Sequence, residues 1–89
     1  MNVELPSFNG NVSIEEYLDW ENEVEKFFDY IGIANDKQVC SVAYKLKKGA
    51  SAWWYHVQLN RNYERKLPIR SWRRMKRLME DRFLSLDYQ

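Results

Sequence analysis

One cysteine, Cys40, one histidine, His56, and thirteen carboxylates are the residues of this 89-residue chain whose types could carry chemistry. A lone histidine cannot anchor a zinc site and a lone thiol cannot close an intramolecular bridge. The three glycines stand far apart at positions 10, 32 and 49, so no phosphate-cradling loop is present, and His56 has no nucleophile in a recognisable pattern beside it. The sequence therefore predicts neither catalysis nor a metal or cofactor. Cys40 reads as a small buried thiol at the border of a helical face, and His56 as a partly exposed residue.

What the charged residues can do is recognise other charges. Residues 1–36 hold nine acids against one base, a net −8, while residues 37–89 hold thirteen bases against four acids, a net +9. The total of +1 conceals this division. Such a chain can fold its halves together, stack head to tail with copies of itself, or offer its basic half to nucleic acid.

These groups must be positioned by a single core, since 89 residues supply material for one domain. The hydrophobic share is 45 % and the aromatic share 16 %, so aromatic burial has to stabilise the fold without disulfides. No stretch approaches the roughly 18 apolar residues of a membrane span, and the N-terminus lacks the basic-then-apolar pattern of a signal peptide. A cytoplasmic, reducing setting is the expectation, and Asn11-Val12-Ser13 reads as a chance sequon.

The expected fold is all-α, with an extended arm over residues 1–12 and one helical domain over 13–89. Phe8 anchors the arm, because Pro6 pushes Leu5 toward extended geometry and Asn9-Gly10-Asn11 supplies turn residues. Ser13 and Glu16 form a capping box for a first helix over 14–31. On its wheel Tyr17, Trp20, Val24, Phe27, Phe28 and Ile31 share one stripe, while Leu18 and Tyr30 fall off it. Gly32 supplies the stop. A second helix over 36–47 turns Val39, Val42, Ala43 and Leu46 inward, with Lys45, Lys47 and Lys48 near its negative end and Gly49 closing it.

A third helix over 50–59 is apolar on two sides. Ala50, Trp53, Trp54 and Val57 form one face and Ala52, Tyr55 and Leu59 the other, which places the helix centrally or leaves a face for a partner. Residues 60–70 read as a polar, mobile loop. Ser71 caps a fourth helix over 72–84 whose inward stripe is Trp72, Met75, Leu78, Met79 and Phe83. Arg73, Arg74, Lys76 and Arg77 crowd its start while Glu80 and Asp81 come later, the reverse of what the helix dipole favours. Pairs Lys76 with Glu80 and Arg77 with Asp81 offset this by a few tenths of a kcal/mol each. Acidic helix one, or another molecule, is expected to supply the rest.

Read together, Phe8-Asn9-Gly10, Tyr17-Leu18-Asp19-Trp20, Phe27-Phe28, Leu46-Lys47-Lys48-Gly49-Ala50-Ser51-Ala52-Trp53-Trp54, Trp72, Arg82-Phe83 and Tyr88 resemble the Gag capsid region of gypsy-class LTR retrotransposons. The resemblance covers nearly the whole chain. It implies the N-terminal lobe of a capsid protein, related to the neuronal protein Arc, that self-associates into oligomers or shells packaging retroelement RNA. The abrupt end at Tyr88-Gln89 is expected of a piece of a longer polyprotein.

Three uses follow. Self-association would employ Leu18, Tyr30, Tyr55 and Leu59 with the charges of Glu15, Asp19, Arg73, Arg74 and Arg77. An Arc-like adaptor would bind an extended hydrophobic peptide in a groove that Phe8 of the arm otherwise fills, beside Tyr17. An RNA module would use Arg61, Arg65, Lys66, Arg70, Arg73, Arg74, Lys76 and Arg77, against the −8 of the other half, so RNA binding is expected to be weak or to need other regions.

Overall fold

The structure, a computed structural model, describes residues 4–84. Four helices follow one another: α1 (Ile14–Ile31), α2 (Asn35–Lys45), α3 (Lys48–Tyr63) and α4 (Trp72–Phe83). Among the described residues there is no strand, and the fold is all-α. The Tyr88 of the capsid resemblance and the tail of the expected 13–89 domain lie outside the described residues.

α1 begins where its capping box puts it. Ser13 Oγ accepts from the Glu16 amide at 3.1 Å, and Glu16 Oε1 accepts from the Ser13 amide at 2.9 Å. Gly32 ends the helix at φ 69°, in the left-handed region, with its amide on the Phe28 carbonyl. Tyr17, Trp20, Val24 and Phe28 are buried and Phe27 is half-buried. Ile31, expected in the core, is 43 % exposed. The wheel fixes its direction, but among the described residues nothing covers the last turn of α1 on that side.

The junction of α2 and α3 departs most from the sequence reading. α2 ends at Lys45, because the arm inserts there: the Phe8 amide donates to the Lys45 carbonyl at 2.9 Å and the Lys47 amide to the Phe8 carbonyl at 2.7 Å. This single parallel bridge holds Leu46 extended and breaks the helix before any glycine. Gly49 is the second residue of α3 rather than a stop. Lys47 and Lys48 consequently stand at the positive end of α3, although Lys47 Nζ still donates to the α2 carbonyl of Tyr44 at 3.3 Å. Cys40, expected to be buried, is exposed, since α2 buries only the narrow face of Val39 and Val42 together with the following Leu46.

α3 runs four residues beyond the expected 59. It is closed by Arg65 at φ 60° and by the Lys66 amide donating to the Arg61 carbonyl at 2.8 Å, a left-handed ending built without glycine and so without a sequence signal. Ala50 and Trp54 are buried and Trp53, Val57 and Leu59 half-buried, while Ala52, Tyr55 and His56 are exposed. Among the described residues the helix is peripheral, and its second face is open at Ala52 and Tyr55. The following segment is pinned. The Gln58 side chain accepts from the Ile69 amide at 3.1 Å and donates to the Ile69 carbonyl at 3.2 Å, which buries Ile69.

The core is an aromatic stack centred on the arm. Phe8, 3 % exposed, meets Tyr17 edge-on at 5.6 Å between centroids, Trp20 at 4.7 Å and Phe83 at 4.9 Å. Trp20 Nε1 donates to the Pro6 carbonyl at 3.0 Å, so arm and α1 are tied by backbone as well as ring contacts. Trp72 sits edge-on to both Trp20 and Phe28, and Trp53 edge-on to Phe83. Leu5, Val39, Leu46, Met75 and Met79 complete the buried set.

Candidate association surfaces

Among the described residues one ion pair joins α4 to α1, and that pair sorts the remaining charges. Lys76 Nζ lies 2.7 Å from Glu25 Oε2, and Trp72 Nε1 donates to the same oxygen at 3.0 Å. Burial pushes the Glu25 carboxyl up, but these two donors outweigh it and hold it below the usual carboxylate range. The hydrogen bond to Glu25 raises Lys76 in turn, against its own partial burial. The salt bridge expected between Lys76 and Glu80 is therefore replaced by one to α1, and Arg77 forms none with Asp81 among the described residues.

A second carboxylate cluster lies along the same seam. The buried Tyr17 hydroxyl donates to Glu21 Oε2 at 3.0 Å. Burial, and then the neighbouring Glu80 carboxylate of α4, push Glu21 up to about 7, against the pull of the Tyr17 hydrogen bond and of Lys76. Burial, followed by the Glu21 charge, raises Tyr17 as well. Sequence reasoning missed Glu21 and Glu80 because their proximity depends on how α1 packs on α4.

Among the described residues two faces of opposite charge remain unpaired. On α1, Glu15 and Asp19 are exposed and flank Leu18, 45 % exposed, with Tyr30, 72 % exposed, farther along. On α4, Arg73, Arg74 and Arg77 are exposed, and among the described residues no arginine stands within 4.0 Å of a carboxylate. The structure thus places Leu18, Tyr30, Glu15 and Asp19 on one helix and the three arginines on another. Tyr55, 65 % exposed, and half-buried Leu59 are on α3. Tyr44, Tyr63 and Leu67 are further exposed apolar residues not singled out from sequence. For Tyr44 the signal existed, since its wheel position is well off the Val39/Val42 face.

Residues 2–84 match the family of the N-terminal capsid-like domain of the retrotransposon-derived protein PEG10. The chain belongs to this family. No curated protein and no solved structure matches it. For a capsid-like domain the unpaired faces are the features of interest, and among the described residues there is no cluster of metal-ligating side chains and no helix long and apolar enough to cross a membrane.

The peptide-groove residues fall inside the capsid-like core. Tyr17 is fully buried, and Phe8 shows only an edge in a hollow of about 360 Å³ beside Trp20, Val12 and Lys47. A larger cleft of about 500 Å³ opens instead between the arm at Glu4 and Leu5, Phe27 of α1, and Lys37, Cys40, Ser41, Tyr44 and Lys45 of α2. Of the basic residues considered for RNA, Lys76 is engaged by Glu25, Lys66 by Glu64 at 3.1 Å, and Arg61 donates through Nε to the Leu67 carbonyl at 2.7 Å.

Proposed function

We propose that this capsid-like domain is a structural building block, not a catalyst, and that it self-associates by docking the acidic α1 face of one copy onto the basic α4 face of the next. The observation that carries this reading is the pair of unpartnered faces: Glu15 and Asp19 around Leu18 on α1, and Arg73, Arg74 and Arg77 on α4. Among the described residues Lys76 and Glu25 form the ion pair between α1 and α4, and these outward charges are left for another molecule. A contact between two different faces is heterologous, and heterologous contacts close into rings or extend into larger assemblies according to the rotation between copies. Leu18 and Tyr30 supply apolar contact within the acidic face. In such an assembly retroelement RNA is enclosed by shells of the domain rather than gripped by it.

Light scattering at high protein concentration tests this. Leu18→Asp and Arg74→Glu are each expected to reduce the average mass, and an oligomer distribution unchanged in both would overturn the assignment of these surfaces.

The 500 Å³ cleft favours a second reading, an Arc-like adaptor that seats an extended hydrophobic peptide between Leu5, Phe27 and Tyr44. An array of hydrophobic peptides probed with the full chain checks it. Tyr44→Asp is expected to abolish captured spots, and no captured peptide would remove the reading.

A further inference from the structure

We propose that the cleft between α3 and α4 binds a compact, multiply charged phosphate anion. The cleft holds about 410 Å³ and is lined by Arg61 of α3 and by Arg73, Arg74, Arg77, Leu78 and Asp81 of α4. Four arginines from two helices line it. Each guanidinium is a planar fork of donors that matches two phosphate oxygens at once.

Arg73 and Arg74 are unfavourably placed without an anion. They occupy the second and third positions of α4, where the dipole already presents positive charge. Among the described residues none of the four arginines has a carboxylate within 4.0 Å. Asp81, which also lines the cleft, makes no ion pair there and is a fixed charge of the wrong sign for the ligand.

The site is partly organised in advance. Arg61 is steered by the 2.7 Å hydrogen bond from its Nε to the Leu67 carbonyl, and among the described residues its terminal nitrogens have no carboxylate partner. The segment carrying Leu67 is held by the double hydrogen bond between Gln58 and Ile69. Such fixing lowers the ordering cost of binding.

A compact anion fits better than an RNA strand. Lys76 turns toward α1 and is held by Glu25, whereas Arg61 and Leu78 mark the opposite, α3 side of the helix. Lys66 is held by Glu64. The face of α1 toward which Lys76 turns is acidic, with Glu21 and Glu25. The site shares its α4 arginines with the docking face proposed above, but anion binding is a property of one copy and does not rest on self-association.

Calorimetric titration of inorganic tripolyphosphate into dilute protein at physiological salt tests the site. Saturable one-to-one binding is expected. Arg61→Gln and Arg77→Gln should each weaken it about tenfold or more, as for loss of a charge-assisted hydrogen bond. Lys37→Gln, which removes the same charge from α2, should change it less than twofold. Asp81→Asn should tighten it, an effect that unfolding cannot imitate. Absence of saturable binding, equal weakening by Lys37→Gln and Arg77→Gln, or tighter binding of single-stranded RNA at matched phosphate concentration would overturn the proposal.

Discussion

Replacing Phe8 by Ala asks whether the arm is part of the core or a detachable strap. The ring is 3 % exposed and stands within 6 Å, centroid to centroid, of Tyr17, Trp20 and Phe83. Truncation leaves the bridging hydrogen bonds to Lys45 and Lys47 in place, so the effect reports the ring alone. Removing a buried Phe costs about 3 to 5 kcal/mol. A chain of 89 residues has about 5 to 13 kcal/mol in total. At about 4 to 8 °C per kcal/mol for a domain this small, the midpoint should fall by roughly 12 to 40 °C. Thermal unfolding followed by circular dichroism reads this directly, with Phe8→Leu as a companion that keeps most of the buried volume and loses much less. A Phe8→Ala midpoint within about 3 °C of the parent, on the scale of a surface substitution, would refute the reasoning. The same logic implies that deleting the arm unfolds the domain instead of opening a groove.

The seam between α1 and α4 predicts a pH response. Glu21, pushed up to about 7 from 4.5, keeps a proton in the folded state that the unfolded chain has lost, so stability should fall as pH rises across that window. At this partly exposed site, solvent screening reduces the change to about 1 to 2 kcal/mol. Glu25 acts in the opposite sense below the window. Its depressed carboxyl contributes above the unfolded value and is lost as pH falls through the folded one. Urea titrations between pH 4.5 and 7 should show the decline in the parent and not in Glu21→Gln; a slope kept by the variant would assign it elsewhere. Two glycines should respond with opposite signs. Gly10→Ala puts a Cβ at φ 88°, 3.3 Å from Ala50 Cβ and Phe83 Cε1, and should cost about 1 to 3 kcal/mol. Gly49→Ala meets no atom within 4 Å inside the first turn of α3 and should gain about 0.5 to 1 kcal/mol, both measured by chemical denaturation.

Local signals made α1 legible to the residue, since Ser13, Glu16 and Gly32 determine its ends through contacts within a few positions. α4 was nearly so, through Ser71, whose hydroxyl accepts from the Arg74 amide. The α2 to α3 break was not, because the agent is Phe8, nearly forty positions away, and the glycine that looked like a stop is bypassed. The end of α3 escaped because arginine, not glycine, takes the left-handed position at 65. Ile69 was hidden in a polar stretch, since the partner that buries it is the side chain of Gln58. For the candidate surfaces, the charge division and the residues off each stripe were readable. Their sorting was not: Lys76 turns inward to Glu25 while Arg73, Arg74 and Arg77 stay outside, and only the packing of α1 on α4 decides which.

The central claim, that sister copies meet acid face to base face, is tested most directly by reciprocal charge reversal. Sedimentation equilibrium would compare Glu15→Arg/Asp19→Arg, Arg73→Glu/Arg77→Glu and their equimolar mixture at a concentration where the parent associates. Each double variant presents like charges on both faces and is predicted to remain monomeric, while the mixture, alternating the two, regains the parent's mass. Parent-like association of either variant alone, or a mixture that stays monomeric, would contradict the account.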